Sequence, residues 1–250
     1  MGVTADLTAH PGLDDLLARQ DPSIGDPILD NAVWAALTGP QARFAERRGL
    51  ASRYDPDVSV FVALADPANP QAWADAAQLI GPGESFALAG SAATVPAGWT
   101  WMSVGGGVQL VDVALEKGPD PETSFLGPED VPEMLALVAR NRPGPFRPRT
   151  IELGTYLGIR RGGELIAMAG ERLHPPGWTE ISAVCTDPAY RGQGLGTRLV
   201  RAVAHGIAER GDRPFMHAAA SNTNAIRLYE SIGFRLRRVT DFLSVTVPEA

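Results

Sequence analysis

Residues 178–207 impose the tightest constraint on the fold, because the hydrophobic period changes there from two to about four, with glycines at the change. Over "WTEISAVCT" (178–186), Thr179, Ile181, Ala183 and Cys185 alternate with Glu180, Ser182, Val184 and Thr186, the period of a half-buried strand. Over 195–210, Leu195, Leu199, Val203 and Ile207 form the stripe of an amphipathic helix, and Gly211 is its expected stop. Between the two, "YRGQGLGTRLV" (190–200) holds Gly192, Gly194 and Gly196. Each glycine costs roughly 0.5–1 kcal/mol relative to alanine inside regular structure. Either the turn is unusually tight, or a ligand approaches the backbone.

A helix start offers free N–H groups and the positive end of the helix dipole, and glycines let an anion come close to them. Two familiar phosphate loops do not fit. A Walker loop needs a lysine after its last glycine, and Thr197 follows Gly196. The dinucleotide fingerprint needs a third glycine where Thr197 stands. A loop that cradles an anion on its backbone, with Arg191 and Arg198 adding charge, and a ligand-free strand-to-helix turn both remain open at this point.

The rest of the chain reads as mixed α/β. The periodicity predicts helices over 31–50, 71–80, 129–140 and 224–232. It predicts strands over 58–66, 85–90, 99–103, 108–115, 214–220 and 234–247, and a hairpin over 155–173 around "RRGG". Residues 1–27 read as a flexible arm, 28–118 as an N-terminal α/β region of unknown role, and 119–250 as a second domain. The stretch 116–130, rich in Gly, Pro and acids, reads as the linker.

At 250 residues, 44% hydrophobic and 20% charged, the chain is in the range of a soluble globular protein of one large domain or two small ones. No run approaches the ~18 apolar residues of a membrane span, and the polar, acidic start does not read as a secretory signal. The single cysteine, Cys185, leaves no internal disulfide and suits a reducing cytoplasm. His10, His174, His205 and His217 are scattered and make no metal set. Residues 1–139 carry 6 basic and 19 acidic side chains, whereas 140–250 carry 16 and 10. The acidic front half argues against nucleic-acid binding. The arginine-rich back half would suit a smaller polyanion, or the halves are two solvated surfaces of different sign.

A second motif, "SNTNAIRLYESIGF" (221–234), follows the strand after the glycine loop. Together with "CTDPAYRGQGLGTRLV" it resembles the GNAT superfamily of acyl-CoA-dependent N-acyltransferases. Arg191, Gly194 and Gly196 meet the first family pattern. Asn222, Ala225, Leu228, Tyr229, Gly233 and Phe234 meet the second. The resemblance covers residues 122–245 and is nearest the glycine N-acyltransferase-like branch. It implies an α/β GNAT fold, with a mixed, mostly antiparallel central sheet splayed at the cofactor strand. The front half would be an additional α/β unit, a degenerate GNAT-like half.

The resemblance also implies acetyl-CoA as co-substrate and no metal. The backbone of Val184, Cys185 and Thr186 would pair with the pantetheine arm. The N–H groups of Arg191, Gly192, Gln193, Gly194, Leu195, Gly196 and Thr197 would hold the pyrophosphate, and Asn222 would bond the arm. Tyr229 matches the family's acid; read from its helix alone it is a packed core aromatic. The base is not given by the family. Glu180, on the strand before the loop, and Glu171, near the end of the hairpin, are candidates, and either could be an ordinary surface carboxylate. Cys185 reads as a small buried strand residue rather than a nucleophile. The implied reaction is direct attack of a primary amine on acetyl-CoA, with a small-molecule or protein amine as acceptor. Neither nucleic acid nor membrane is an expected partner, and the chain would be a monomer or homodimer. A longer acyl-CoA, or a non-catalytic acyl-CoA-binding sensor or scaffold, are the competing readings. The acceptor groove would draw on 140–150, with its four arginines, on 174–178, and on Trp99 and Trp101.

Overall fold

A computed structural model describes residues 13–90, 94–141 and 143–249. In chain order the helices are α1 (Leu13–Arg19), α2 (Ala32–Leu37), α3 (Pro70–Ile80), α4 (Val131–Asn141), α5 (Leu195–Glu209) and α6 (Thr223–Ser231). The strands are β1 (Ala45–Arg48), β2 (Ala51–Tyr54), β3 (Val62–Leu64), β4 (Ser85–Gly90), β5 (Thr100–Asp112) and β6 (Thr123–Phe125). They continue with β7 (Tyr156–Arg161), β8 (Glu164–Glu171), β9 (Trp178–Thr186), β10 (Arg213–Ala219) and β11 (Phe234–Thr246).

Eight strands form the main sheet in the order β4-β11-β5-β10-β9-β8-β7-β6, and β1-β2-β3 form a small second sheet. All neighbours in the main sheet are antiparallel except β9 and β10. The expected boundary between 118 and 119 runs through this sheet. β5, from the front half, lies between β10 and β11 and pairs with β11 from Thr100–Thr246 to Asp112–Phe234. The front half is therefore not a self-contained copy of the back half. It supplies two strands of one sheet and the layer that covers part of it.

Each face of the sheet carries its own core. On one face α5, α6 and α1 bury Leu199, Val203, Ile207, Ile226 and Leu16 against Val108, Leu110, Ile159, Ile181 and Met216. On the other, α4 sets Met134 and Leu137 against Tyr156 and Met168. Beside it, Leu29, Leu37, Tyr54, Val58 and Phe61 pack on Val111, Trp178 and Phe215. Each fully buried side chain of this size contributes about 1.5–3 kcal/mol.

Several local expectations change for identifiable reasons. The helix expected over 31–50 ends at Leu37, since Pro40 lacks an N–H and restricts Gly39 before it. Residues 45–48 become β1 instead. The strand expected over 58–66 is confined to 62–64, and the two over 99–103 and 108–115 are one strand, β5. The supposed linker contains β6. Of the supposed arm, residues 1–12 lie outside the described residues and the remainder is docked. Leu16 is buried, Arg19 pairs with Glu230 at 3.0 Å, and the Asp21 N–H donates to the Leu236 carbonyl.

The charge asymmetry is largely used within the molecule. Asp30 meets Arg237 at 2.7 Å, Asp55 meets Arg149 at 2.6 Å, Asp120 meets Arg198 at 2.6 Å and Glu122 meets Arg161 at 2.6 Å. Opposite signs in sequence are two sides of one internal seam. The exposed pairs, Asp55–Arg149 and Glu122–Arg161, contribute about 0–1 kcal/mol each, so they align the halves more than they stabilise them, whereas Arg237 is itself buried. Among the described residues no helix is long and apolar enough to cross a membrane.

Candidate active site

Gly192 and Gly194 take φ of +77° and +73°, a left-handed backbone that side chains with a Cβ rarely adopt. Gly194 is the N-cap of α5, and no side chain caps this helix. The first backbone bond into α5 runs from the Arg198 N–H to the Gly194 carbonyl. The N–H groups of residues 192–197 consequently find no acceptor among the described residues. A Cβ built on either Gly192 or Gly194 would meet nothing within 4 Å. The glycines thus leave open space over a row of unspent donors. This is the geometry of an anion site rather than of a tightly packed turn.

β9 and β10 are in register only from Trp178–Arg213 to Ile181–Met216. Beyond that pair they part, and residues 182–186 face the gap unpaired on that side. A bulge sits at the parting. Between the Gly170–Ser182 and Met168–Cys185 pairs, β9 spends one residue more than β8. Ala183 absorbs it with φ of +53°, the one non-glycine residue with positive φ among those described. Such a conformation costs roughly 1–2 kcal/mol for an L-residue.

A cleft of about 730 Å³ occupies the gap. Val184, Cys185, Thr186, Arg191, Gly192, Gly194, Leu195, Gly196, Thr197, Asn222 and Tyr229 all line it; Gln193 does not. Asn222, a cleft residue, caps α6 through its side-chain oxygen, which accepts from the Ala225 N–H at 3.1 Å, and its amide N–H₂ has no acceptor among the described residues. Arg191 reaches the Asn141 side chain at 2.8 Å, tying the loop to α4. Arg198, expected to add charge to the loop, is instead held by Asp120 at 2.6 and 2.7 Å. The Cys185 thiol is buried, and burial pushes its pKa up to about 12, opposed by Arg140. It is no thiolate nucleophile at neutral pH.

Tyr229 is 7% exposed and packs at 6.3 Å between ring centroids from Phe234. It is both a core residue and a cleft residue. Burial, reinforced by the neighbouring Cys185, pushes its pKa up to about 12, and no hydrogen bond engages its hydroxyl among the described residues.

The two base candidates lie elsewhere. Glu171 does not line the cleft; its carboxylate accepts from Arg210 at 2.6 Å and from the Thr155 N–H at 3.2 Å. Glu180 is fully buried and accepts twice from Arg172, at 2.8 and 2.6 Å, and once from His217 Nδ1 at 2.7 Å. Burial alone would raise its pKa. The Arg172 charge and the bonds from Arg172 and His217 outweigh that and bring it down to about 2. It too sits behind the cleft wall, so neither carboxylate is placed to take a proton from an acceptor.

Arg172 and His217 are two polar cleft residues that sequence reasoning missed, as it did Asn141, Tyr190 and Asn224. Glu180 carried the available signal, since a carboxylate in an otherwise buried alternating strand requires a cation. Arg172 and His217 also line a second cavity of about 410 Å³ that joins the cleft and is walled by Phe61, Val104, Pro143, Pro145 and Phe242. Of the expected acceptor loops, 140–150 contributes Pro143–Pro145, but not its arginines, to that cavity. Arg140 pairs with Asp187 and Arg149 with Asp55 and Glu152. Arg142 lies outside the described residues. Trp178 is core, and Trp99 and Trp101 pack with the cluster around Trp73, away from the cleft. Among the described residues no group of three or more His, Cys, Asp or Glu could hold a metal ion.

Replacing Gly194 by Val tests the loop directly. The side chain would stand over the open N–H groups, at a backbone conformation that costs it about 1–2 kcal/mol. The expected result is a folded protein whose acyl-CoA affinity falls at least about tenfold, read by calorimetry. Unchanged affinity would make the loop a turn only.

Known proteins share this architecture. Residues 156–243 match the FR47-like protein family. Over 83 residues the chain is 39% identical to the N-alpha-acetyltransferase RimI of Mycobacterium tuberculosis, covering 32% of this chain and 51% of that protein. Over 74 residues it is 38% identical to the mycothiol acetyltransferase of Corynebacterium glutamicum, covering 29% of this chain and 25% of that one. The chain thus spans about half the length of the first and a quarter of the second. A solved GNAT-family structure from Novosphingobium aromaticivorans DSM 12444, described as an acetyltransferase, aligns with a TM-score of 0.80 at 39% identity, over 90% of this chain and 100% of that one. None of these names refers to the glycine N-acyltransferase-like branch. Similarity at that level across a whole solved relative, front half included, makes this chain a member of the GNAT family.

Proposed function

We propose that the protein is an N-acetyltransferase that moves an acetyl group from acetyl-CoA to a primary amine by direct attack. One observation carries the reading: the unpaired edge of β9 runs into a row of six N–H groups, residues 192–197, that find no acceptor among the described residues. An extended arm ending in a pyrophosphate satisfies both at once, the arm as an added strand and the phosphates on the helix start. When bound, acetyl-CoA would supply the thioester carbonyl carbon that the amine attacks.

This chain's residues then have separable tasks. The 182–186 edge and the Asn222 amide hold the arm, and the 192–197 backbone holds the phosphates. Tyr229 offers a hydrogen bond to the sulfur that leaves. Its raised pKa makes it a weaker acid than a thiol, whose ordinary pKa is about 8.5. It therefore stabilises developing negative charge rather than delivering its proton outright. Among the described residues no Asp or Glu lines either cavity. Deprotonation of the amine falls to water, and Glu180 serves to fix Arg172 and His217. His217 itself is engaged at both nitrogens, by Glu180 and by the Gln109 side chain at 3.2 Å.

Thiol release from acetyl-CoA against a panel of amines tests this. Release that depends on the amine, and rises with pH as more amine is neutral, is expected. Tight acetyl-CoA binding with no release for any amine would favour the sensor or scaffold reading.

A further inference from the structure

We propose that Arg172 recognises a carboxylate on the acceptor, and that the acceptor is a free α-amino acid with an apolar side chain. This rests on the acetyl-transfer reading above and names its substrate class. The Arg172 side chain is nine-tenths buried, at 10% exposure. Its Nε and Nη2 are committed to Glu180 at 2.8 and 2.6 Å, and its guanidinium carbon lies 5.0 Å from the centre of the Phe61 ring. Nη1 has two further N–H bonds, and neither meets an acceptor among the described residues. A Cβ on Gly144 would lie 4.0 Å from Nη1, which places that nitrogen beside the loop forming the roof of the second cavity. Nη1 is not among the buried polar atoms that lack a partner: it keeps surface that solvent reaches, so an incoming acceptor would replace water there.

Five of the described residues line both cavities, Arg172 among them, so the two adjoin there, and its uncommitted Nη1 lies beside Gly144, which lines the second. Glu180 and Phe61 fix the plane of the guanidinium in advance. An incoming carboxylate would meet a donor that needs no reorganisation. The second cavity has room for a side chain, and its walls are apolar: Phe61, Leu88, Val104 and Phe242, with Arg172 and His217 as its ionisable groups. In an α-amino acid the amine is one carbon from the carboxylate. Anchoring the carboxylate at the junction therefore keeps the amine there too, facing the cleft that holds the donor, while the side chain fills the apolar cavity. A lysine side chain or a protein N-terminus has no carboxylate next to its amine. In the reaction the nitrogen forms a C–N bond to the acetyl carbon and the C–S bond breaks. The proton lost by nitrogen goes to water, and the sulfur leaves as a thiol, protonated from solvent. The products are an N-acetyl amino acid and free CoA.

The test is kcat/KM for thiol release from acetyl-CoA with phenylalanine, phenylalanine amide and phenethylamine, for the full chain and for Arg172→Lys. Phenylalanine is expected to exceed its amide by roughly 10–100-fold, the range of a hydrogen bond to a charged group. In Arg172→Lys that ratio is expected to fall toward one. The ratio does not depend on what fraction of the variant is folded. Equal kcat/KM for the three acceptors, or an unchanged ratio in Arg172→Lys, overturns the inference while leaving acetyl transfer standing. A second arm pairs succinyl-CoA with phenethylamine; a strong preference for that donor would assign the carboxylate to the acyl group and overturn the acceptor assignment. No thiol release with any acceptor would remove the proposed function and this inference together.

Discussion

Tyr229→Phe is expected to lower kcat by roughly 10²–10³-fold, with little change in acetyl-CoA affinity. The magnitude is that of removing one preorganised donor aimed at developing charge. The substitution keeps the ring, its contact with Phe234 and its place in the core, so stability should hold. What it removes is a hydroxyl that no side chain uses among the described residues. The raised pKa, about 12, sharpens the expectation. In either role the hydroxyl must stay protonated, and with a pKa of about 12 it does so across the working range, so the pH–rate profile should show no basic limb that Tyr229→Phe removes. A near-normal kcat in Tyr229→Phe would return the residue to a packing role.

Glu180→Gln is expected to destabilise the protein by about 3–5 kcal/mol, the cost of removing one partner of a buried ion pair. Arg172 would keep its charge in the interior with nothing to balance it, and an amide N–H₂ would face a donor of Arg172 or His217 where a carboxylate oxygen now accepts. That is a large part of the roughly 5–15 kcal/mol that holds a domain folded. The pH dependence follows from the same contacts. The folded carboxyl titrates at about 2, below its ordinary 4.5. Its contribution is therefore fully present above about pH 4.5 and is lost as pH falls through 2. A shift of that size corresponds to about 3 kcal/mol. Urea unfolding at pH 7 and at successively lower pH should show the wild type losing stability over this window and Glu180→Gln losing less. If Glu180 were instead the general base, the variant would keep its stability and lose a limb of the pH–rate profile.

What the sequence made legible was local. The alternation over 178–186, the three glycines and the Leu195–Ile207 stripe are visible because a period repeats within a few residues, and each became the element expected. What it hid was pairing at a distance. Nothing within 100–112 says that this strand enters a sheet between two strands more than a hundred residues later, so a composition-based boundary at 118 looked natural. The carboxylates were hidden for a different reason. Strict alternation puts Glu180 on one face with Ser182, and the bulge at Ala183 falls after both, so that face is kept. What separates them is the parting of the strands: β9 is still paired with β10 at Glu180 and free of it from Ser182 on, so Ser182 lines the cleft while Glu180 is enclosed. Arg172 closes the run "ELIAMAGER", apolar from Leu165 to Gly170 and ending in Glu171 and Arg172. Its importance appears only when β8 is laid beside β9 and the two opposite charges meet in the interior.

The central claim is that the gap between β9 and β10, with the glycine loop at its end, binds an acyl-CoA. Calorimetric titration of the folded protein with acetyl-CoA tests it most directly, with desulfo-CoA and ATP alongside and the Gly194→Val variant as comparison. The account predicts one-to-one binding of acetyl-CoA and desulfo-CoA, no comparable binding of ATP, and loss of affinity in the variant. Absence of acetyl-CoA binding in a folded sample, or equal binding by Gly194→Val, would contradict it.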